Sequence, residues 1–453
     1  MKFLLVLWLS KLVAAAVRLV DRTRGSSRSG HIAVCLMPDF VRHFKGIDCG
    51  KVIFITGTNG KSTTTNLVSH TLRSAGKRVA SNAEGANMMS GVATTLIKNS
   101  TPGGRFNREY LVLEIDERSL PAIRALLPAA HMGVTNLQKD QVQRNGDPDF
   151  IFRKLRAAVG ADVTLYLNNE EPRSKALEDC AGRSVYFSVA ANERTHACDD
   201  FYSVTLPCPK CGHPVRYSAY NLASIGPFAC TRCAHRSGQS PDVRLEDVDF
   251  AAKTFRFAGN TWECPYFNPY YLYNYAMDIA LCRNLGLRDD EIREAVAGFV
   301  NPAHRRETLT YRGKRIRYLR MKQENPETLQ SNLDTVARDR SEKAVFIGMY
   351  EVKDFLPHYS NSFYFFDCDF APVASTPVER YVVFSTTVSY DTANRIRYAG
   401  VPEEKITVLD TEDIPAILAE LDKIRTDNVY FLTGMKPYKA LKAHFRQGGE
   451  SHG

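Results

Sequence analysis

The sequence predicts an α/β protein: a doubly wound sheet around a phosphate-binding loop, with a cysteine-rich insertion and a second, smaller α/β domain. Three observations carry this prediction. Val52-Ile53-Phe54-Ile55-Thr56 is a short, β-branched apolar run followed by Gly57-Thr58-Asn59-Gly60-Lys61-Ser62-Thr63. Strand, Gly-bracketed turn, cation and hydroxyl come in the order a phosphate cradle needs. Two further apolar runs, residues 110–117 and 131–136, also end in carboxylates or amides, and ligands of open α/β sheets sit at the carboxyl ends of strands. From Tyr311 onward a separate series of apolar runs alternates with helical stretches and contains no phosphate loop.

Length and charge set the bounds. The chain has 453 residues, enough for two to four domains. Its net charge of +9 comes without a dense Lys/Arg run, so nothing argues for nucleic acid. Eleven cysteines include two close pairs and seven scattered residues, which with a nucleotide loop suggests a reducing cytosol rather than a disulfide framework. The expected domains are 1–48, an N-terminal helix and linker; 49–300, a central nucleotide-binding domain with an insertion at 203–238; and 301–453, a C-terminal α/β domain.

In chain order, the first twenty residues mimic a secretory signal: a Lys2 start, an apolar stretch, then Ala14-Ala15-Ala16. Lys11 interrupts the run, and Lys11 and Arg18 fall seven apart on one helical face. The reading is an amphipathic helix, packed on the next domain or lying at the inner face of a membrane, in a cytoplasmic protein. The run is too short to span a bilayer.

In the loop, Gly57 and Gly60 let backbone N–H groups approach phosphate oxygens, and the helix that follows adds its positive end. Lys61 supplies a point charge and the Ser62 hydroxyl a ligand for Mg²⁺. Lys61 is expected to point into the cradle, so its removal would cost activity rather than folding. Ile55 stands where the general P-loop has its first Gly. Glu114 closes the next strand, placed to hold Mg²⁺ beside the γ-phosphate, with Asp116 and Glu117 close by. Asn136 and Asp140 follow the third strand.

Cys208-Pro209-Lys210-Cys211 and Cys230-Thr231-Arg232-Cys233 are two C-x-x-C knuckles 18 residues apart, the spacing of a four-thiolate zinc site. Four thiolates close a tetrahedron with no open position, so the predicted Zn²⁺ is structural. His213 and His235 lie nearby but are not needed. Pro269 leads into a helix carrying Asn274, and Pro302 marks a boundary from which Arg305 is available to a phosphate. Buried strands are expected at 344–348, 364–367, 381–384 and 429–432, with helices at 391–398 and 414–423.

Residues 56–65 resemble the loop signature of the Mur ligase family. With Gly85-Ala86-Asn87-Met88, Glu114 to Glu117, Thr135-Asn136, Asp140-Gln141, the four-cysteine insertion, Tyr273-Asn274, Arg305 with Glu307, and Asn325-Pro326, the chain resembles the MurT-type subunits of lipid II isoglutaminyl synthase over nearly its whole length. The insertion and Gln141 set it apart from the amino-acid-adding Mur ligases. The resemblance implies an ATP-dependent carbon–nitrogen ligase that activates the α-carboxylate of D-glutamate in the lipid II stem peptide at the membrane surface. Ammonia released by a GatD-like glutaminase, its partner in a heterodimer, then gives D-isoglutamine. It also implies ATP, Mg²⁺ and structural Zn²⁺. ATP contacts would come from residues 57–63, Asn274 and Arg305, and catalytic roles from Lys61, Glu114 and a C-terminal Asp. A gapped reading puts that Asp at Asp354; an ungapped one puts His358 and Asn361 there. His304 also replaces the family's hinge glycine. Two other readings stand beside this one: a divergent Mur-like ligase with another acceptor, and a nucleotide-binding scaffold for a glutaminase.

Overall fold

The apolar run before the loop forms a strand, β1 (Val52–Thr56), buried along its whole length. The computed structural model describes residues 1–20, 27–82, 86–140, 147–198, 206–222, 224–301, 306–321, 325–349 and 366–447. Gly85, Gln141, residues 302–305 including Arg305, and the stretch 350–365 with Asp354, His358 and Asn361 lie outside the described residues. Two units form, residues 1–138 with 147–302 and residues 139–146 with 303–453.

In the first unit, α1 (Lys2–Val20) and α2 (Arg28–Leu36) precede β1. Then come α3 (Lys61–Ser74), β2 (Val79–Ser81), α4 (Met89–Lys98), β3 (Tyr110–Glu114), α5 (Leu120–Leu126), β4 (His131–Val134), α6 (Pro148–Ala158), β5 (Thr164–Asn168), α7 (Pro172–Ala176) and β6 (Arg183–Val189). After the insertion follow β7 (Val243–Asp249), β8 (Thr254–Phe257), β9 (Asn260–Glu263), α8 (Pro269–Asn284) and α9 (Asp289–Ala297). They build a nine-stranded sheet of order β9-β8-β7-β6-β5-β4-β1-β3-β2. All pairings from β7 to β2 are parallel, and the β7–β8 and β8–β9 pairings at the edge are antiparallel.

Alternation along β1 feeds two cores. Phe54 joins the apolar layer with α2 and α4, while Ile53 and Ile55 face the layer with α3 and α8. Each of these side chains is fully buried and stabilises the fold by about 1.5–3 kcal/mol. Because β1 lies between β3 and β4, the strand order reverses there, and the crevice opens at the carboxyl end of β1. The register sets Ile55 opposite Glu114 and Gly133.

The insertion between β6 and β7 contains a small antiparallel sheet of Leu206–Pro207, Pro214–Tyr217 and Phe228–Cys230. Its own core is Val215, Tyr217, Tyr220 and Phe228, with Cys208.

Asp278 sits fully buried on α8. It accepts from Thr71 Oγ1 (2.9 Å) and Cys282 Sγ (3.4 Å), both neutral. Burial pushes its carboxyl up to about 7. The native state therefore holds a proton that the unfolded chain has released, and stability falls as pH rises between the unfolded and folded values. From pH 5 to 7.5 this one group is expected to cost on the order of 2–3 kcal/mol. Asp278→Asn, nearly isosteric, should flatten the melting temperature against pH. An unchanged slope would remove Asp278 as its source.

The second unit contains β10 (Arg306–Tyr311), β11 (Lys314–Arg320), α10 (Pro326–Arg338), β12 (Lys343–Gly348), α11 (Ala371–Ala374), β13 (Val378–Phe384), α12 (Ser389–Tyr398), β14 (Ile406–Leu409), α13 (Ile414–Lys423), β15 (Asn428–Thr433) and α14 (Met435–Gln447). The sheet order is β10-β11-β15-β12-β13-β14. It is parallel except for the β10–β11 hairpin, whose turn residues Arg312 and Gly313 both have positive φ, as the tight turns matching strand twist require. Of the strand expected at 364–367, Tyr364 and Phe365 lie outside the described residues, and the described residues Phe366 and Asp367 are a correction: they are helix and turn. A run that short does not separate a buried strand from a helical turn by its pattern.

Candidate nucleotide site and metal centre

The loop after β1 is held open by glycine and by amides from the next strand end. Gly57 has φ +116°, and a Cβ there would meet Thr135 Oγ1 at 2.3 Å. Gly60, at φ +93°, lies where a Cβ would meet Asn274 Oδ1 at 2.4 Å. Both positions need glycine for conformation and for space. The first bond of α3 is Thr64 N to Gly60 O. The N–H groups of Lys61, Ser62 and Thr63 thus precede the helical ladder, where a helix start offers donors to an anion.

Asn136, just beyond β4, clamps Asn59 from both sides. Its Oδ1 accepts from Asn59 N (2.9 Å), its Nδ2 donates to Asn59 O (3.0 Å), and its own carbonyl accepts from Thr58 N (2.7 Å). Gln138 adds a second brace. Its N–H donates to Thr58 Oγ1, its carbonyl accepts from that hydroxyl, and its Oε1 accepts from Asn59 Nδ2 at 2.9 Å. Asn274, from α8, accepts from Thr64 Oγ1 at 3.1 Å beneath Gly60. The structure therefore gathers residues 57–64, Asn136, Gln138 and Asn274 in one place.

The Lys61 ammonium lies across the loop, bonded to the carbonyls of Gly57 and Thr58 and to Glu117 Oε1 at 2.8 Å. The pair is buried, with side-chain exposures of 11% and 8%. Burial raises the Glu117 carboxyl and the Lys61 charge opposes that rise. Sequence reasoning placed Glu117 nearby without a role. The strand-end position was visible, but the through-space pairing was not.

Glu114 closes β3 beside the loop. Its backbone is locked by Asn82, which donates to Glu114 O and accepts from Glu114 N, both at 2.8 Å. Its Oε1 accepts from Asn87 Nδ2 at 3.2 Å, while Oε2 is buried with no hydrogen-bond partner among the described residues. A buried carboxylate oxygen without a donor is a place for a cation, so Glu114 fits Mg²⁺. Ser62 lies in the first turn of α3 and is part-exposed.

The four cysteines of the insertion also converge. Cys208 and Cys233 sulfurs are 3.7 Å apart, Cys211 and Cys230 sulfurs 3.5 Å, and all four ligand atoms lie within 4.8 Å of one another. A tetrahedron with Zn–S near 2.3 Å has edges of about 3.8 Å, so the donor set fits one Zn²⁺. Cys230 Sγ also accepts from the N–H groups of Arg232 and Cys233, both 3.4 Å, bonds that favour a thiolate. His235 turns away, its Nε2–H donating to Pro172 O at 2.9 Å. Beside the insertion, Tyr273 Oη donates to Glu170 Oε2 (2.6 Å) and accepts from Asn221 Nδ2 (3.2 Å), tying it to α8. Cys211→Ser is expected to lower zinc content well below one ion per chain and to melt the insertion early, because metal binding there is folding free energy. Metal analysis finding no zinc in wild-type protein purified without chelators would contradict this.

Asp140 belongs to the second unit, where Asn325 Nδ2 donates to it at 3.3 Å and Lys139 pairs with Asp367 at 2.5 Å. Arg305 and Asp354 are outside the described residues, so their placement is not part of this geometry.

A parallel sheet with a Gly-Lys-Ser/Thr loop at its switch point and a carboxylate on the adjacent strand end defines a P-loop nucleotide-binding fold, and this one is Mur ligase-like in fold. The Mur ligase middle domain matches residues 55–202, and the MurT ligase C-terminal domain matches residues 323–438. The chain thus matches both domain models, one after the other. It is 26% identical to the lipid II isoglutaminyl synthase (glutamine-hydrolyzing) subunit MurT of Staphylococcus aureus strain COL, over 83% of this chain and 84% of that protein. To the subunit of the same name from Streptococcus pneumoniae strain ATCC BAA-255 / R6 it is 23% identical, over 93% of each. Among solved structures, a pseudomurein peptide ligase type C from Methanothermus fervidus superposes with a TM-score of 0.66 at 17% identity, covering 89% of this chain and 80% of that one. That likeness concerns the fold.

Proposed function

We propose that this chain is the ATP-using subunit of an amidating ligase in peptidoglycan synthesis: it transfers the γ-phosphoryl group of ATP to the α-carboxylate of D-glutamate in the lipid II stem peptide, releasing ADP, and ammonia then displaces phosphate to give the α-amide, D-isoglutamine. The observation that carries the reading is the conjunction of Lys61, held across the loop, with Glu114, whose buried Oε2 lacks a partner. A carboxylate is a poor electrophile until phosphorylated, and phosphoryl transfer rests on positioning and charge stabilisation. Residues 57–63 would cradle the phosphates, with Lys61 as their point charge. Ser62 and Glu114 would hold Mg²⁺, which supplies Lewis-acid polarisation of phosphoryl oxygens. Asn274 and Arg305 are proposed as further ATP contacts, and Zn²⁺ on Cys208, Cys211, Cys230 and Cys233 as a structural support.

The ammonia source is proposed to be a glutaminase subunit, bound as a heterodimer in the cytoplasm. Burial raises the thiols of Cys264, Cys282 and Cys368, which makes them poor nucleophiles. The chain alone should use free ammonia and leave glutamine intact. Co-expression with a candidate glutaminase tests the partnership: a stable complex that hydrolyses glutamine supports it, and glutamine hydrolysis by the isolated chain refutes it.

Asp354 is proposed to orient ammonia or take its proton as the C–N bond forms. Asp354→Asn should cut amidation by about 10²-fold or more while ATP binding survives. Parental rates in that variant, with loss in His358→Ala or Asn361→Ala, would move the role to the other alignment.

A further inference from the structure

The outward face of α1 takes no part in the chemistry above. The helix is latched to the first unit by polar bonds. Lys11 Nζ donates to Ile97 O (2.6 Å) and Ser100 O (2.7 Å), and Trp8 Nε1 donates to Pro102 O (2.8 Å). Beneath it Val6, Leu7 and Ser10 are buried, and Phe3 packs against Phe40, His43 and Phe44. These contacts fix which side faces out. Leu5, Trp8, Leu9 and Leu12 recur at i, i+3, i+4 and i+7, one stripe along the helix. Their exposures are 62%, 53%, 46% and 68%. Four large apolar side chains in a row form a patch rather than scattered surface residues.

The composition of this segment is basic. α1 contains no Asp or Glu, and the first 45 residues hold eight Lys or Arg against two Asp. No described helix is long and apolar enough to cross a membrane.

We propose that this face docks on an anionic lipid surface, with the Leu5, Leu9 and Leu12 side chains and the Trp8 ring in the headgroup–acyl boundary and the basic residues against lipid phosphates. An apolar protein partner would accept the leucines but would leave the basic surplus unmatched; an anionic bilayer matches both. Half-exposed tryptophan at the rim of an apolar stripe also suits the interface, where one edge is apolar and the other polar. The inference stands on α1 and does not depend on which acceptor is amidated, although docking would bring the first unit to the surface where a lipid-linked substrate resides.

The chain carries its own reporter. Of its two tryptophans, Trp262 is 1% exposed inside the core, so a change in emission on adding vesicles reports on Trp8. The full chain is mixed with vesicles of phosphatidylcholine alone or phosphatidylcholine with phosphatidylglycerol, and binding is read by co-sedimentation and fluorescence. Binding to the anionic vesicles is expected to be at least about tenfold tighter, to weaken with salt, and to shift Trp8 emission to the blue. Leu5→Ser/Leu9→Ser/Leu12→Ser should lower partitioning by about a hundredfold with ATP turnover intact, which shows that the fold survives. Trp8→Phe should bind and lose the shift. Three results overturn the proposal: no binding to anionic vesicles, binding of the triple variant at the wild-type level, or binding without a shift of Trp8 emission. Loss of the glutaminase by the triple variant, with no vesicle binding by either protein, would assign the face to a protein partner instead.

Discussion

Replacing Lys61 with alanine is expected to reduce ATP turnover by about 10²–10³-fold or more, the loss that follows removal of a preorganised charge from a site of developing negative charge. The structure changes the accompanying expectation about folding. Lys61 does not only point into the cradle; its ammonium pairs with buried Glu117 at 2.8 Å. Removing it leaves a buried carboxylate without its cation, which destabilises by up to about 3 kcal/mol before protonation of Glu117 relieves the cost. Lys61→Ala/Glu117→Gln removes both charges and separates the effects. The double variant should melt near the wild type and remain inactive. ATP turnover near wild type in either variant would contradict the placement of the phosphates in this loop.

Glu114→Gln is expected to be nearly as severe. The amide keeps the shape of the side chain, and the bonds from Asn82 go to the Glu114 backbone, so the strand end should hold. What is lost is the negative charge at Oε2, the buried oxygen without a donor. Turnover should fall by about 10²-fold or more at ordinary Mg²⁺ and recover in part as Mg²⁺ is raised, since charge stabilisation by the ion is worth several kcal/mol. A rate independent of Mg²⁺ with parental activity would show that Glu114 is not a metal ligand.

Much of the fold was legible because its signals are local. The strand, Gly57, Gly60 and Lys61 follow one another within ten residues, and their spacing alone demands a turn into a helix start. The cysteine knuckles are legible for the same reason: four ligands at fixed offsets specify a tetrahedron whatever surrounds them. The Glu117–Lys61 pair and the braces from Asn136 and Gln138 were not, since each joins residues far apart in sequence: the pair requires the β1–β3 register and the braces the β1–β4 register. The β10–β11 hairpin was missed because Arg312-Gly313 is a weaker turn signal than Asn-Gly or Asp-Gly. At 364–367 the apolar run is too short for its period to decide between strand and helix. For α1, sequence gave an amphipathic helix, but which residues faced outward depended on the latch formed by Lys11 and Trp8.

The most direct test of the central claim is amidation itself. The chain co-purified with a candidate glutaminase is given lipid II, ATP, Mg²⁺ and glutamine, and the stem peptide is read by mass spectrometry. The expected result is conversion of one carboxylate to a carboxamide at D-glutamate, absent without ATP, absent with Lys61→Ala, and restored by ammonium when glutamine or the partner is left out. Lipid II that stays unamidated with both subunits, ATP and either nitrogen source present would contradict the account.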